Sequence, residues 1–338
     1  MTLNRILLAA FGLGFSTLAV QADPTTYPLK LENCGETITF EHAPDSAVTV
    51  GQAATEVLYT LGLGEKLEGT SVWFTDVLPE YRQLNAKVER LADNDPSFES
   101  VVSKRPGLVA IQFEWHVGPQ GIVGTREQFH DLKIPTYVMP ADCVAKNNTV
   151  GMDGTRTQLF STDSIHKGVR ELAAIFDVQD KGEAVVADLK TRETTAIDRA
   201  KAVSRNDVSA VFWFSSAEMN IDPYVAGRKG GPAYIMEKLG VRNIVESDEE
   251  WPAVGWETIA KANPTFIVVA KMDRRRFPAD DVEKKLEFLK TDPVASQLDA
   301  VKAGRIVVMD AHAMDATIRT VDGIEVLADA LEKTATAQ

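Results

Sequence analysis

Cysteine and histidine are scarce in this 338-residue chain, and the common catalytic signatures are missing. The two cysteines, Cys34 and Cys143, lie 109 positions apart and form no metal-binding pattern. Five scattered histidines argue against a receptor for bare zinc or manganese, which needs several converging protein ligands. There is no Gly-x-Ser-x-Gly elbow, no Walker loop, no His-Glu-x-x-His and no Cys-x-x-Cys. Gly-x-Gly occurs at Gly12–Gly14, near the N-terminus, and at Gly62–Gly64, and neither extends to Gly-x-Gly-x-x-Gly. Asp and Glu are too numerous for any pair to stand out as an acid and a base. No catalytic residues are assigned, and the chain is read as a non-enzyme. The contrasting class, an exported α/β hydrolase or lyase, would reveal itself by turnover of simple esters or glycosides. Beyond the first 22 residues no apolar run is long enough to cross a bilayer. A formal net charge of −13 argues against nucleic acid as the main partner.

What is present begins with a secretory signal. Arg5 supplies the positive end, Ile6 to Val20 the apolar run, and Val20-Gln21-Ala22 the small-residue cleavage site. A membrane anchor is the other reading, and the run is short for one. Cleavage before Asp23 is expected to leave a soluble, exported protein. In an oxidising compartment the two cysteines are expected to pair as a Cys34–Cys143 disulfide. Cys34 also lies near the new N-terminus, but Leu31-Glu32-Asn33 is a poor lipidation sequence.

Short β-branched runs alternate with helical patterns, the signature of βαβ units and mostly parallel sheets. Strands are predicted at Ala47–Val50, Leu67–Val72, Leu108–Gln112, Pro135–Met139, Val208–Phe214, Phe266–Ala270 and Arg305–Met309. Asp163–Phe176 reads as an amphipathic helix. Lys181–Val203 reads as a long helix with few large apolar residues, a pattern that often bridges two bodies through solvent. Val321–Leu331 closes the chain as a helix. The predicted fold class is α/β, with two Rossmann-like lobes joined by a single long helix and a ligand cleft between them. The predicted organisation is a signal peptide over 1–22, an N-terminal lobe over 23–162, a helical segment over 163–204 and a C-terminal lobe over 205–338.

Two stretches nearly repeat. Phe98-Glu99 leads through Pro106 to the apolar run ending at Ile111, and Trp256-Glu257 leads through Pro264 to Val269. Ser97 is a predicted N-cap, with Glu99 in the first turn. Each half thus places one glutamate at a comparable position.

The chain resembles the substrate-binding proteins of bacterial ABC importers that serve iron–siderophore complexes, haem and vitamin B12. The resemblance covers nearly the whole mature chain. It is carried by Ala54-Thr55-Glu56-Val57-Leu58 with Leu61-Gly62, by Glu99 to Ile111, by Ile134 to Val138 and by Glu257 to Val269. It implies that Glu99 and Glu257 dock onto an inner-membrane permease dimer, and that the protein works as a periplasmic monomer with no cofactor of its own. The alternative for both glutamates is simple complementation of a helix N-terminus.

In open α/β sheets ligands sit beyond the carboxyl ends of strands. Residues there are Gln52, Trp73, Trp115 and His116 in the first half, and Trp213, Met219, Tyr224, Arg228, Trp251, His312 and Arg319 in the second. These are the predicted ligand contacts. Flat aromatic walls suit a metal chelate or corrin; similar positions to Trp115 and Trp251 line the pocket in the B12-binding relative. His116 and His312 are candidates to complete a metal's coordination, or simple hydrogen-bonding residues. The basic loop Gly227 to Gly231 and the run Arg274-Arg275-Arg276 are either solvated surface or, facing the cleft, a preference for an anionic ligand. The expected ligand is a ferric chelate, with a corrinoid or haem as the alternative.

Overall fold

The computed structural model describes residues 23–150, 153–203 and 207–336. The expected signal segment lies outside them. An antiparallel hairpin, β1 (Leu29–Asn33) and β2 (Glu36–Phe40), opens the described chain. Then β3 (Ala47–Val50), β4 (Leu67–Ser71), β5 (Arg90–Ala92), β6 (Val109–Ile111) and β7 (Thr136–Val138) form a parallel sheet in the order β5-β4-β3-β6-β7. Strands β3, β6 and β7 are buried at every position, as expected where helices cover both faces.

A two-residue ladder, β8 (Lys146–Asn147) against β9 (Thr155–Arg156), follows. The second sheet comprises β10 (Ser209–Ser215), β11 (Tyr224–Val225), β12 (Arg242–Asn243), β13 (Phe266–Lys271) and β14 (Ile306–Asp310). Its path is β11-β10-β13-β14, with β12 also on β10; only β11 runs antiparallel. The two sheets are separate, so the two-lobe α/β architecture is the observed one.

Gly51 shows how tightly the first βα turn is built. Its φ is +129°, and a Cβ there would sit 2.2 Å from Gln112 Cβ. Only glycine fits a turn that brings the helix Gln52–Thr60 out of β3 beneath that side chain.

The long helix runs from Gln179 to Ala202, close to its predicted span. It does not bridge through solvent. Gly182, Val186, Leu189, Glu193, Ala196 and Ala200 are buried at alternating four- and three-residue steps, a narrow seam along one side of the helix. The neighbouring helix Thr320–Thr336 is fixed to it by Arg192 with Asp322 and Glu325, and by Arg199 with Asp329 and Glu332. The sequence shows few apolar residues here because close packing, not bulk, makes this contact.

Cys34 and Cys143 form the expected disulfide. It fastens the β1–β2 hairpin to the chain just beyond β7. Asn33 reinforces the join: its amide donates to the Val138 carbonyl at 2.7 Å and accepts the Val138 N–H at 2.8 Å.

One buried charge underlies the second sheet. Lys285, 0% exposed, donates to the carbonyls of Phe214 and Ala270 at the carboxyl ends of β10 and β13. A neutral amine has two N–H groups for those two acceptors, whereas an ammonium has a third. Burial pushes this amine down to about 7, with Asp280 opposing the shift. The unfolded chain therefore binds more protons than the folded one above that value, so this group's contribution to stability rises with pH from about 7 toward 10. The urea midpoint is expected to climb between pH 7 and 9 in the native protein. In Lys285→Met that climb should shrink; an identical climb in both proteins would refute the assignment.

Candidate functional site

The cleft opens beyond the carboxyl ends of both sheets and encloses about 470 Å³, within the usual ligand-pocket range of about 300–1,000 Å³. Its walls are aromatic on both sides. From the first lobe come Phe113 and Trp115, stacked at 4.3 Å with their planes 6° apart. From the second come Phe214 with Trp251 at 4.6 Å, and Tyr224 with Phe277 at 6.2 Å. Phe74 lies between the two groups, 6.1 Å from Phe113 and 6.4 Å from Phe214.

The floor is an inter-lobe seam. The Phe74 carbonyl accepts the N–H groups of Asp273 and Arg274, at 2.8 and 3.1 Å. The Asp76 N–H donates to Asp273 Oδ2 at 3.0 Å, and Thr75 Oγ1 to Asp310 Oδ2 at 2.9 Å. Below them Arg319 binds Glu56 through both Nε and Nη2, and reaches Asp310 Oδ2 at 3.2 Å. The Arg274 guanidinium sits over the Phe74 ring, 4.1 Å from its centroid. Burial holds Arg274 below the usual arginine range, against the pull of Asp280, Asp315 and Asp153.

One wall is a strap, residues 144–150 and 153–157, that reaches from the first lobe to the second. Glu250 donates its N–H to the Gly154 carbonyl at 3.1 Å, and Arg156 pairs with Glu250 at 2.9 Å. The strap contributes Lys146, Asn148, Thr149, Asp153 and Arg156 to the lining.

Of the predicted contacts, Trp115, His116, Tyr224 and Trp251 line the cavity. The others lie elsewhere. Trp213 points to the opposite face of β10, in a buried cluster with Trp256 and Phe288, and its neighbour Phe214 faces the cleft. Trp73 is buried with Nε1 on Thr70 Oγ1 at 3.1 Å, and its neighbour Phe74 lines the cavity. Gln52 is fully buried; its side-chain Oε1 accepts the N–H groups of Phe74 and Thr75 and so shapes the floor from behind. His312 is buried against the far side of Phe74, at 5.8 Å. Met219 packs on the second core, and Arg228 is a surface residue paired with Asp248. Arg319 lies in the seam rather than the cleft. Sequence reading missed Phe113, Phe277, Arg156 and Glu250, none of which carries a motif.

No group of three or more metal-ligating side chains occurs among the described residues. His116 Nε2 is engaged by Asp95 Oδ1 at 3.0 Å, and that bond holds the Asp95 carboxyl below its ordinary range. Glu99 and Glu257 each stand exposed in the first turn of a short helix, Phe98–Val102 and Trp256–Ala262. Ser97 caps the first as predicted, its Oγ accepting the Ser100 N–H at 3.1 Å. No ion pair engages either carboxylate among the described residues.

A family model described as periplasmic binding protein matches residues 48–313. The chain belongs to that family. An uncharacterized ABC transporter substrate-binding lipoprotein, YvrC of Bacillus subtilis (strain 168), is 22% identical over 310 residues, covering 90% of this chain and 86% of the relative. The vitamin B12-binding protein of Pectobacterium atrosepticum is 24% identical over 229 residues, 67% of this chain and 71% of the relative. A solved structure titled an ABC-type Fe3+-hydroxamate transport system, from Saccharomonospora viridis, superposes with a TM-score of 0.70 at 22% identity, covering 90% of this chain and 99% of that one. This periplasmic binding protein is the solute-binding component of an ABC importer, acts outside the cytoplasmic membrane, and is not an enzyme.

Proposed function

We propose that the protein captures an iron–siderophore complex in the periplasm and delivers it unchanged to its permease. The observation that carries this reading is the aromatic cavity between the lobes, walled from both sides and edged by Arg274 and Arg276. Flat rings offer stacking and apolar area to a bulky chelate. The arginines offer donors to its oxygens. The metal arrives as cargo inside its chelator, so the scarcity of protein ligands is no obstacle. A corrinoid is the second reading, favoured by the coplanar Phe113–Trp115 pair and by the name of the Pectobacterium relative.

Both readings predict quenching of Trp115 and Trp251 emission on binding. Titration with a ferric tris-hydroxamate should saturate at one equivalent, with cyanocobalamin silent. The reverse result would replace the first reading by the second. Trp251→Ala should weaken binding by about thirtyfold, the cost of about 2 kcal/mol typical of a buried aromatic anchor. Unchanged affinity in isothermal titration would remove that wall from the site.

A further inference from the structure

The charges of the cavity do not all pair off. Lys146 is held by Asp142 at 2.6 Å, Arg156 by Glu250, and Asp95 by His116. Four lining charges remain: Asp153 and Asp315 against Arg274 and Arg276. No hydrogen bond or ion pair engages the Asp153 carboxylate among the described residues. Asp315 Oδ2 is buried without a hydrogen-bond partner, its nearest cation candidate being His312 Nδ1 at 3.6 Å. Arg274 Nε is likewise unpartnered, 3.9 Å from Asp280. Both acids line the same cavity; burial raises the Asp153 carboxyl above its ordinary range, with Lys146 opposing and Asp315, Glu250 and Asp142 adding to the shift.

A second, independent feature lies in the same cavity. His116, 1% exposed, lines it with Nδ1 unpartnered while Nε2 is fixed by Asp95. Leaving a buried polar group unpaired costs about 1–3 kcal/mol, and more for a charge. A solute that supplies the missing partners is favoured by that amount over one that does not.

We propose that Asp153 and Asp315 form an acceptor corner that takes a cationic arm of the solute, such as an ammonium. Arg274 and Arg276 face its acceptor oxygens. The ligand class is a chelate of near-neutral net charge with a cationic arm, and the two carboxylates reject polyanionic chelates by repulsion. This rests on the iron-chelate reading. It also revises the anionic preference drawn from the basic runs, since Arg228 lies outside the cleft and acids offset Arg274 and Arg276 within it.

The test uses tryptophan quenching of the mature protein by three probes. They are a linear ferric tris-hydroxamate ending in a free ammonium, the same chelate N-acetylated, and a trianionic ferric tris-catecholate. The ammonium chelate should bind about tenfold tighter than its acetylated form, and the tris-catecholate weakest. In Asp153→Asn/Asp315→Asn the ammonium advantage over the acetylated chelate should collapse toward parity. Equal binding of all three probes by the native protein, or an ammonium advantage surviving in the double variant, overturns the corner but not the iron-chelate reading. Failure of all three to bind overturns both. The native preference needs no variant, so misfolding cannot mask it.

Discussion

Arg319→Met is expected to lose about 3–5 kcal/mol of folding stability, read as a lowered urea midpoint. Glu56 is fully buried on the helix Gln52–Thr60 of the first lobe, and Arg319 belongs to the second. Removing the guanidinium leaves a carboxylate with only the Gln52 amide at 3.1 Å and the Leu78 N–H at 3.3 Å. Those two donors are neutral and do not replace a charge. The same arginine also donates to the Asp76 carbonyl at 2.7 Å and anchors Asp310, so the seam under Phe74 loosens with it. Glu56→Gln/Arg319→Met should recover much of the loss, because no uncompensated charge then remains. A double variant as unstable as the single one would show that shape, not charge, is what the pair provides.

Glu99→Ala/Glu257→Ala should abolish import while leaving ligand affinity unchanged. The two carboxylates are exposed, free of ion pairs among the described residues, and carried at matching places on the two lobes. Truncating one charge of a desolvated interfacial pair costs about 2–5 kcal/mol. Losing two such contacts at once takes docking out of the working range. Each single variant should fall between native and double in uptake of labelled ferric chelate by whole cells. The competing role, complementing helix N-termini, predicts instead a lower thermal midpoint with transport intact.

The scaffold was legible because its signals are periodic and local. Strands β3, β6, β7, β10 and β13 are short apolar β-branched runs, and the Ser97 cap and the glycine turn at Gly51 mark helix starts. The cleft was legible to within one residue. Trp213 was placed on the right strand but on the wrong face, since alternate side chains point opposite ways; Trp73 lies in the turn after β4, where its ring folds back onto Thr70. Phe74 and Phe214, one position on, are the residues that line the cavity. Linear order does not reveal which face of a buried strand meets the other lobe. The strap was missed for a related reason: Arg156 and Glu250 acquire their place only through a contact between lobes. The seam on the long helix was also hidden, because it is narrow and includes the buried Glu193.

The Cys34–Cys143 bond lies at the root of the strap that carries Lys146, Asp153 and Arg156 into the wall of the cleft. Thiols in the cytosol are kept reduced, so this staple closes only once the chain has left that compartment. Before export the same residues hang from a backbone that is not yet cross-linked. Covalent closure of the fold at the edge of the cleft is thus tied to the chain's arrival outside the cytoplasm.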